Sequence, residues 1–498
     1  MRVRITSEQL RAFEMLSHDR NPLHNDRVYS RSTQFGRPIV YGMCAVLLGL
    51  AQWATGRAFR LTRIQGKFVK PLFESVEYEL GISEEGNQVR VEYCEGGITQ
   101  VRFGFAWVEN QPNAGRIVPL QGLSQFQPLA LAKDPDLATA IANWQGVDYS
   151  YSVRLEKLSQ LLPTLGLNAA QIPSNQLNAL MGSSYLVGME IPGRQALYSS
   201  FEFDFDPASS DGNPNDFQFN NVSAALDARF NRVQVSGKGR GIRAFSLLCF
   251  QRPKRVRYGI EEIHRAISHS ESLKNSVVFI SGAVRGFGSV LAKMCALQDA
   301  NVLLNYRSAP EEAQAIVDEI RPWNTKVFPV AGDVSNFDDC RRIRTEVEKR
   351  FERIDFLISN AFPQIPARGF WEQSIGEFLQ FVQESVSTSV NLLHELLPLV
   401  PAGGTVVLIS SCYTRIPIPQ FSHYIASKSC LEGLMRSLAS EFPDRKFVIF
   451  RSPRMLTDQT NLAYDLSPPS SAIAVGRKLM EVLRKFPAAS NLAEIDPG

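Results

Sequence analysis

Tyr424 and Lys428 lie four residues apart, and Ser411, thirteen residues before the tyrosine, closes the apolar run VVLIS. On a helix, that spacing sets the phenol and the ammonium on one face. A neighbouring positive charge favours the phenolate, so the lysine is expected to draw the tyrosine pKa down from about 10 and make it a usable acid. A serine hydroxyl at a strand end is placed to hold a carbonyl oxygen by hydrogen bond. Together the three have the chemistry to protonate a carbonyl oxygen as the carbonyl is reduced. Alone, a tyrosine and a lysine at this spacing are usually just one helix face, so the neighbouring segments decide.

One such neighbour is Ser281-Gly282-Ala283-Val284-Arg285-Gly286-Phe287-Gly288, lying between the strand-like VVFI and the helical SVLAKMCALQ. Gly282, Gly286 and Gly288 let the backbone turn tightly and approach a pyrophosphate held at the helix N-terminus. The following strand ends Asn305-Tyr306-Arg307-Ser308. It offers no acidic side chain to an adenosine 2′-hydroxyl, whereas Arg285 and Arg307 suit a 2′-phosphate, which favours NADPH over NADH. The competing reading of both arginines is ordinary solvated surface charge.

The ordered motifs SGAVRGFG, GDV (332–334), SNA (359–361), ISS (409–411) and YIASK (424–428) resemble those of the short-chain dehydrogenase/reductase family, and are most similar to 3-oxoacyl-carrier-protein reductases. The resemblance spans 273–460. It implies Tyr424 as proton donor, Lys428 as its modulator and ribose ligand, and Ser411 as carbonyl holder. It also implies Asp333 and Val334 at the adenine, Asn360 beside the cofactor, and Ser281 with the glycines at the phosphates. Three positions depart from the family pattern: Ser385 stands where a relay asparagine is expected, Phe362 replaces the glycine of NAG, and Arg454 replaces that of PG.

A second chemical group lies near the start, in Leu16-Ser17-His18-Asp19-Arg20-Asn21-Pro22-Leu23-His24. Asp19 and His24, joined by an Asn-Pro turn, are suited to hold one water between a carboxylate and an imidazole, a pair that adds or removes water. Gly42 opens a long apolar helix, so its N–H is placed to polarise a thioester carbonyl. The plainer reading is that Asp19 caps a helix and His24 is a surface turn residue. The run LSxDxNPLHxD…FGxPIVxGM resembles the (R)-specific enoyl hydratase, MaoC-like hot-dog family over 1–108. That resemblance implies a catalytic aspartate and histidine. His18 stands where the family usually has glycine, and Tyr41 where it often has histidine.

These residues need elements to position them. The apolar segment 40–54 followed by strand-like runs reads as a helix wrapped by an antiparallel sheet, giving a hot-dog unit over 1–110. Residues 111–150 read as a connector with one short helix. Residues 151–257 echo the first block without the DxNPxH motif, a weak internal duplication that would complete an α+β double hot-dog and help form an acyl tunnel. The turn YLVGMEIPG within it reads as structural only. Residues 258–272 read as a linker. From 273 to 498, strands alternate with helices in the pattern of an α/β, Rossmann-type doubly wound parallel sheet. The stretch after Asp458 reads as a short, Pro/Ser-rich tail that leaves the substrate lid abbreviated or open.

The chain has 498 residues with 53 basic and 50 acidic side chains, a balance that argues against a nucleic-acid protein. Seven dispersed cysteines and six dispersed histidines show no CxxC or ligand spacing, which predicts no metal site and a reducing compartment. With no signal-like start and no apolar run of about 20 residues, a cytoplasmic protein without a membrane span is expected. The basic run Gln251-Arg252-Pro253-Lys254-Arg255-Val256-Arg257, with Lys238, Arg240 and Arg243, is suited either to docking an acidic carrier protein or to a solvated strand end. The two resemblances together imply a reductase and a dehydratase in one chain, acting on a thioester of acyl carrier protein or coenzyme A in fatty-acid or polyketide assembly, and forming a homo-oligomer. The rival expectations are a non-catalytic acyl-binding scaffold, and a carbonyl reductase whose other half only selects substrate.

Overall fold

The computed structural model describes all residues except Ser32, 111–125, Arg154, 210–216, Pro253, Arg255, Gln459, 461–468, Ala488 and Gly498. The chain forms two compact units that divide after Lys254.

In the first unit, helix α1 (Ser7–Ser17) starts at a capping box in which Thr6 and Gln9 exchange hydrogen bonds. Helix α2 (Gly42–Ala54) is apolar on every side and buried at all positions but Gly42 and Gln52. A helix of that kind needs cover all round. Strands β1 (Phe59–Phe68), β2 (Glu77–Glu85), β3 (Gln88–Glu95) and β4 (Ile98–Glu109) supply it, alternating buried and outward residues.

The second copy repeats this with helix α3 (Ser174–Tyr185) and strands β5 (Ala196–Phe205), β6 (Phe217–Asp227), β7 (Arg232–Gly239) and β8 (Ile242–Gln251). The strands form one antiparallel sheet ordered β2-β3-β4-β1-β5-β8-β7-β6, with Arg2–Arg4 beside β2 and Val147–Tyr151 beside β6. The order is the same read from either edge, so the duplication is a pseudo-twofold, with β1 paired to β5 at the seam (Arg63↔Asp204 to Lys67↔Ser200). Buried α3 carries amides and hydroxyls where α2 is apolar, and each needs a partner. The Gln176 side-chain amide accepts from Leu61 N at 2.8 Å and donates to Leu61 O at 2.7 Å, bridging a register shift in β1.

Two segments differ from the sequence expectation. The connector 111–150 holds the helix Leu137–Ala142, in keeping with the one short helix expected there, but also most of the edge strand Val147–Tyr151. The linker 258–272 holds helix α4 (Ile260–Ala266), whose Ile260 and Ile263 join the core of the second unit, so apolar burial overrides the charged appearance of the stretch.

The second unit is a parallel sheet of β9 (Val277–Ile280), β10 (Asn301–Tyr306), β11 (Val327–Ala331), β12 (Phe356–Ser359), β13 (Thr405–Ser411), β14 (Lys446–Ser452) and β15 (Leu492–Ile495), in the order β11-β10-β9-β12-β13-β14-β15. Helices α5 (Gly286–Ala296), α6 (Ile375–Leu396), α7 (Ser422–Glu441) and α8 (Ala472–Arg484) belong to it, and α8 and β15 show that the stretch after Asp458 is more than a short tail. The order reverses between β9 and β12, where sheets of this kind leave a crevice at their carboxyl ends. No helix among the described residues is long and apolar enough to cross a membrane.

Two candidate active sites

In the first unit, α1 ends at His18 in a left-handed conformation (φ 56°), a backbone state that suits glycine and is strained for histidine. The turn brings Asp19 inside, 1% exposed. Its Oδ1 accepts from Asn21 N at 3.0 Å and its Oδ2 from Ser184 Oγ at 2.7 Å. Burial pushes the Asp19 carboxyl up to about 7, with these two hydrogen bonds pulling the other way. Asp19 is therefore not a helix cap. Asn21 is the cap, accepting from Leu23 N at 3.0 Å at the start of the turn Pro22–Asn25.

His24 closes that turn. Its Nδ1 lies 2.8 Å from Ile39 O, an atom that only accepts, so Nδ1 carries the proton and Nε2 holds the free lone pair. The ring stacks on Tyr41 with centroids 4.0 Å apart. Burial lowers the His24 pKa to about 4, which keeps the imidazole neutral. Gly42 begins α2, and a Cβ there would come within 2.6 Å of the Phe68 ring, so the close packing at the helix start requires glycine.

The second copy supplies the walls of this site, which the sequence did not reveal. Ser184, on α3, holds the Asp19 carboxylate. The chain then widens through Leu186–Glu190 into a π-turn, closed by Ile191 N bonding to Leu186 O at 2.9 Å. Gly188 in that turn faces Asp19 so closely that a Cβ would lie 2.6 Å from the carboxylate. Asn21 Nδ2 donates to Gly188 O at 2.8 Å and to Gly193 O at 3.0 Å. The segment YLVGMEIPG, read as structural only, is thus a wall of the site. Its glycine in helical surroundings was the available signal.

Arg252 also differs from expectation. It is 5% exposed and donates to Tyr29 Oη at 3.1 Å and Arg194 O at 2.9 Å, near enough to His24 to help depress its pKa. A buried guanidinium has no face to offer a carrier protein. Lys254 and Arg243 pair with Asp134 and Asp206, and Pro253 and Arg255 lie outside the described residues.

In the second unit, the turn after β9 is built as its glycines require. Gly282 and Gly286 have φ of 64° and 51°, and a Cβ on Gly288 would meet Gly282 O at 2.3 Å. Ser281 Oγ accepts from Asn360 N and Ala361 N, both at 2.9 Å, and Asn360 Nδ2 donates to Ser281 O and Gly282 O at 3.1 and 3.2 Å. Asn305, not singled out from sequence, ties three strand ends together: its Oδ1 accepts from Gly282 N at 3.3 Å and its Nδ2 donates to Val330 O and Gly332 O at 3.1 Å. Arg307 lies 3.6 Å from Asp333, Arg285 lies 3.7 Å from Glu312, and Val334 is buried in the core. Both arginines thus already face a carboxylate.

Ser411 ends β13 and Tyr424 lies on α7, where the Ser411 hydroxyl favours the phenolate and pulls the tyrosine pKa down. Lys428, one turn further, donates to Ile409 O at 2.7 Å, and its ammonium lies 4.0 Å from the centroid of the Phe362 ring. That ring meets Tyr424 edge-on at 5.3 Å. The expected electrostatics are not found. Burial raises the Tyr424 pKa to about 12 and lowers that of Lys428 to about 7, so desolvation outweighs any help from lysine to phenol. Ser385 is fully buried on α6 with no partner for its hydroxyl among the described residues. Arg454 donates to Thr460 O at 2.8 Å.

Glu432 went unnoticed in the sequence although it continues the four-residue spacing from Lys428. It accepts from Ser410 Oγ at 2.6 Å and from Arg451 at 2.7 and 2.9 Å, fixing the strand end that carries Ser411. The described residues contain no group of His, Cys, Asp or Glu able to hold a metal ion.

The Gly282–Gly288 turn fits a dinucleotide, since its glycines leave backbone where any Cβ would intrude. At the other end, Phe362 lies against the lysine expected to meet the ribose.

Comparison with known proteins agrees with this division. Residues 1–97 match the MaoC like domain and residues 276–455 the short chain dehydrogenase family. A hydroxynaphthalene reductase-like protein from Metarhizium majus is 27% identical over 181 residues, 36% of this chain and 67% of that protein. An uncharacterized oxidoreductase from Methylorubrum extorquens is 29% identical over 180 residues, 35% of this chain and 70% of that protein. Among solved structures, a dehydrogenase/reductase from Sinorhizobium meliloti has a TM-score of 0.43 at 22% identity, covering 47% of this chain and 98% of that one. A short chain dehydrogenase from Burkholderia cenocepacia in complex with NADP has 0.41 at 22% identity, covering 46% and 98%.

Proposed function

We propose that this chain, a MaoC-like domain fused to a short chain dehydrogenase domain, is a bifunctional enzyme that reduces a 3-oxoacyl thioester with NADPH and then dehydrates the (R)-3-hydroxyacyl thioester so formed. The observation that carries the reading is that one chain holds two separate acid–base sets, each suited to one of two consecutive steps. The thioester is carried by acyl carrier protein or coenzyme A, and the chain works as a homo-oligomer.

Bound NADPH would supply a hydride. In the second unit, Ser411 holds the carbonyl oxygen and Tyr424 gives it a proton, while Ser281, Gly282, Gly286, Gly288 and Asn360 form the cofactor's bed. In the first unit, at neutral pH, His24 Nε2 is free to take the proton on C2, and Asp19, with a pKa of about 7, is partly protonated. Dehydration then balances: the C2–H pair becomes the C2=C3 bond, the C3–O pair leaves with oxygen, and that oxygen takes the Asp19 proton as water departs. The Gly42 N–H stabilises the charge that grows on the thioester oxygen.

The test is to incubate the chain with a 3-oxoacyl thioester and NADPH and follow both absorbance and product mass. Enoyl product with NADPH oxidation is expected; neither appearing overturns the reading. A second reading, a dehydratase whose reductase half is silent, is favoured by Phe362 over Lys428. It predicts turnover of the 3-hydroxyacyl thioester with no NADPH oxidation.

A further inference from the structure

Tyr41 stands out among the buried polar groups that the two steps leave unused. It is 1% exposed, and its hydroxyl has no hydrogen-bond partner among the described residues. Leaving a buried donor unpaired is destabilising, and a phenylalanine would fill the same volume without that cost. The ring has its own role: it stacks on His24 at 4.0 Å and packs 5.0 Å from Phe13, contacts that phenylalanine would keep. The hydroxyl is therefore the part without a structural explanation.

Its surroundings point to a ligand. Burial and the nearby Asp19 carboxylate hold the Tyr41 phenol well above its ordinary pKa, so it stays protonated and acts as a donor rather than as an acid or base. Neither neighbour satisfies it: no hydrogen bond joins the hydroxyl to the Asp19 carboxylate or to the His24 ring on which it stacks. Tyr41 lies against His24 and close enough to Asp19 to feel its charge, so an oxygen that takes a proton from Asp19 is the acceptor this donor can meet.

We infer that the Tyr41 hydroxyl is a third polar contact to substrate in the first unit, donating a hydrogen bond to the C3 oxygen that leaves as water. The inference rests on the dehydratase reading above and adds a determinant of specificity to it: the pocket distinguishes acyl thioesters that carry oxygen on C3 from saturated ones of the same length. Asp19 supplies the proton, His24 receives one, and Tyr41 holds the oxygen without exchanging its own.

The test is Tyr41→Phe in the full chain, with three readouts. These are kcat/KM for dehydration of (R)-3-hydroxybutyryl pantetheine, the inhibition constant of butyryl pantetheine (which lacks the C3 oxygen), and Tm. Expected is a loss on the order of tenfold in kcat/KM, an unchanged inhibition constant, and a Tm unchanged or raised. Unchanged kcat/KM with a raised Tm overturns the inference, because the hydroxyl then meets only buried water. A parallel weakening of the inhibitor overturns it too, because the residue then acts through packing. A wild-type chain inactive as a dehydratase fails the underlying reading, and the inference with it.

Discussion

Both sites contain a buried ionisable group moved to about 7, from opposite directions: Asp19 upward and Lys428 downward. Burial is the main cause in each, because it penalises whichever form is charged. The difference lies in what surrounds them. Both oxygens of Asp19 are met by donors, one from its own turn and one from the second copy of the hot-dog unit. His24 is fixed in one tautomer and on one ring face. In the second unit, the ammonium of Lys428 meets a backbone carbonyl and an aromatic face, burial holds Tyr424 in its protonated form, and the Ser385 hydroxyl has no partner among the described residues. In the first site the acid and the base are both fixed by the chain's own atoms and the Tyr41 hydroxyl alone is left over, whereas in the second the cation itself rests on an aromatic face.

The sharpest way to break this comparison is to disable one site and watch the other. Asp19→Asn is expected to lower dehydration by 10²–10⁴-fold, the usual worth of a positioned acid at roughly this strength, while NADPH oxidation is unaffected and 3-hydroxyacyl product accumulates by mass. Loss of both activities would mean that the sites are not independent. Next in size, Phe362→Gly is expected to tighten NADPH binding on the order of tenfold in a fluorescence titration, by relieving an ammonium–ring contact of about 1–2 kcal/mol. Unchanged or weaker binding would show that the ring supports the second site.

Smaller still, Ser184→Ala removes one hydrogen bond to the carboxylate, expected to cost severalfold in dehydration rate at about 1–2 kcal/mol. The sign of its pH effect is fixed. The Ser184 bond lowers the Asp19 pKa, so its loss moves the alkaline limb to higher pH. In the parent chain, dehydration kcat/KM should fall below pH about 4 as His24 takes a proton and above about 7 as Asp19 loses one. A flat profile from pH 5 to 9 would remove Asp19 from the role of acid.

The elements with strong periodicity were legible before any coordinates. Helix α2, the alternating strands and the Gly282–Gly288 turn follow from apolar spacing and backbone freedom alone, and the ordered motifs singled out Asp19, His24, Ser411, Tyr424 and Lys428 as candidates. What the sequence hid was contact across long chain separations. Ser184 and Gly188 belong to a stretch without any reacting side chain, and only the pseudo-twofold brings them to Asp19. Arg252 looked like surface because it sits in a charged run, yet its guanidinium is buried under Tyr29. The pKa of Tyr424 went against expectation for a related reason: spacing along a helix reports who is adjacent, while burial, which proved the larger influence, is a property of the whole fold.

The seam between β1 and β5 carries a consequence for inheritance. Two hot-dog copies in one chain mutate independently, as identical subunits cannot. The second copy, which has no DxNPxH motif, contributes a serine, a glycine and a widened turn to a reaction in which none of its atoms is assigned a bond-making role. A harmful change at Ser184 or Gly188 would therefore look, in a pedigree of such chains, like damage to residues 16–24, so the two stretches should drift together although Ser184 stands 165 positions from Asp19.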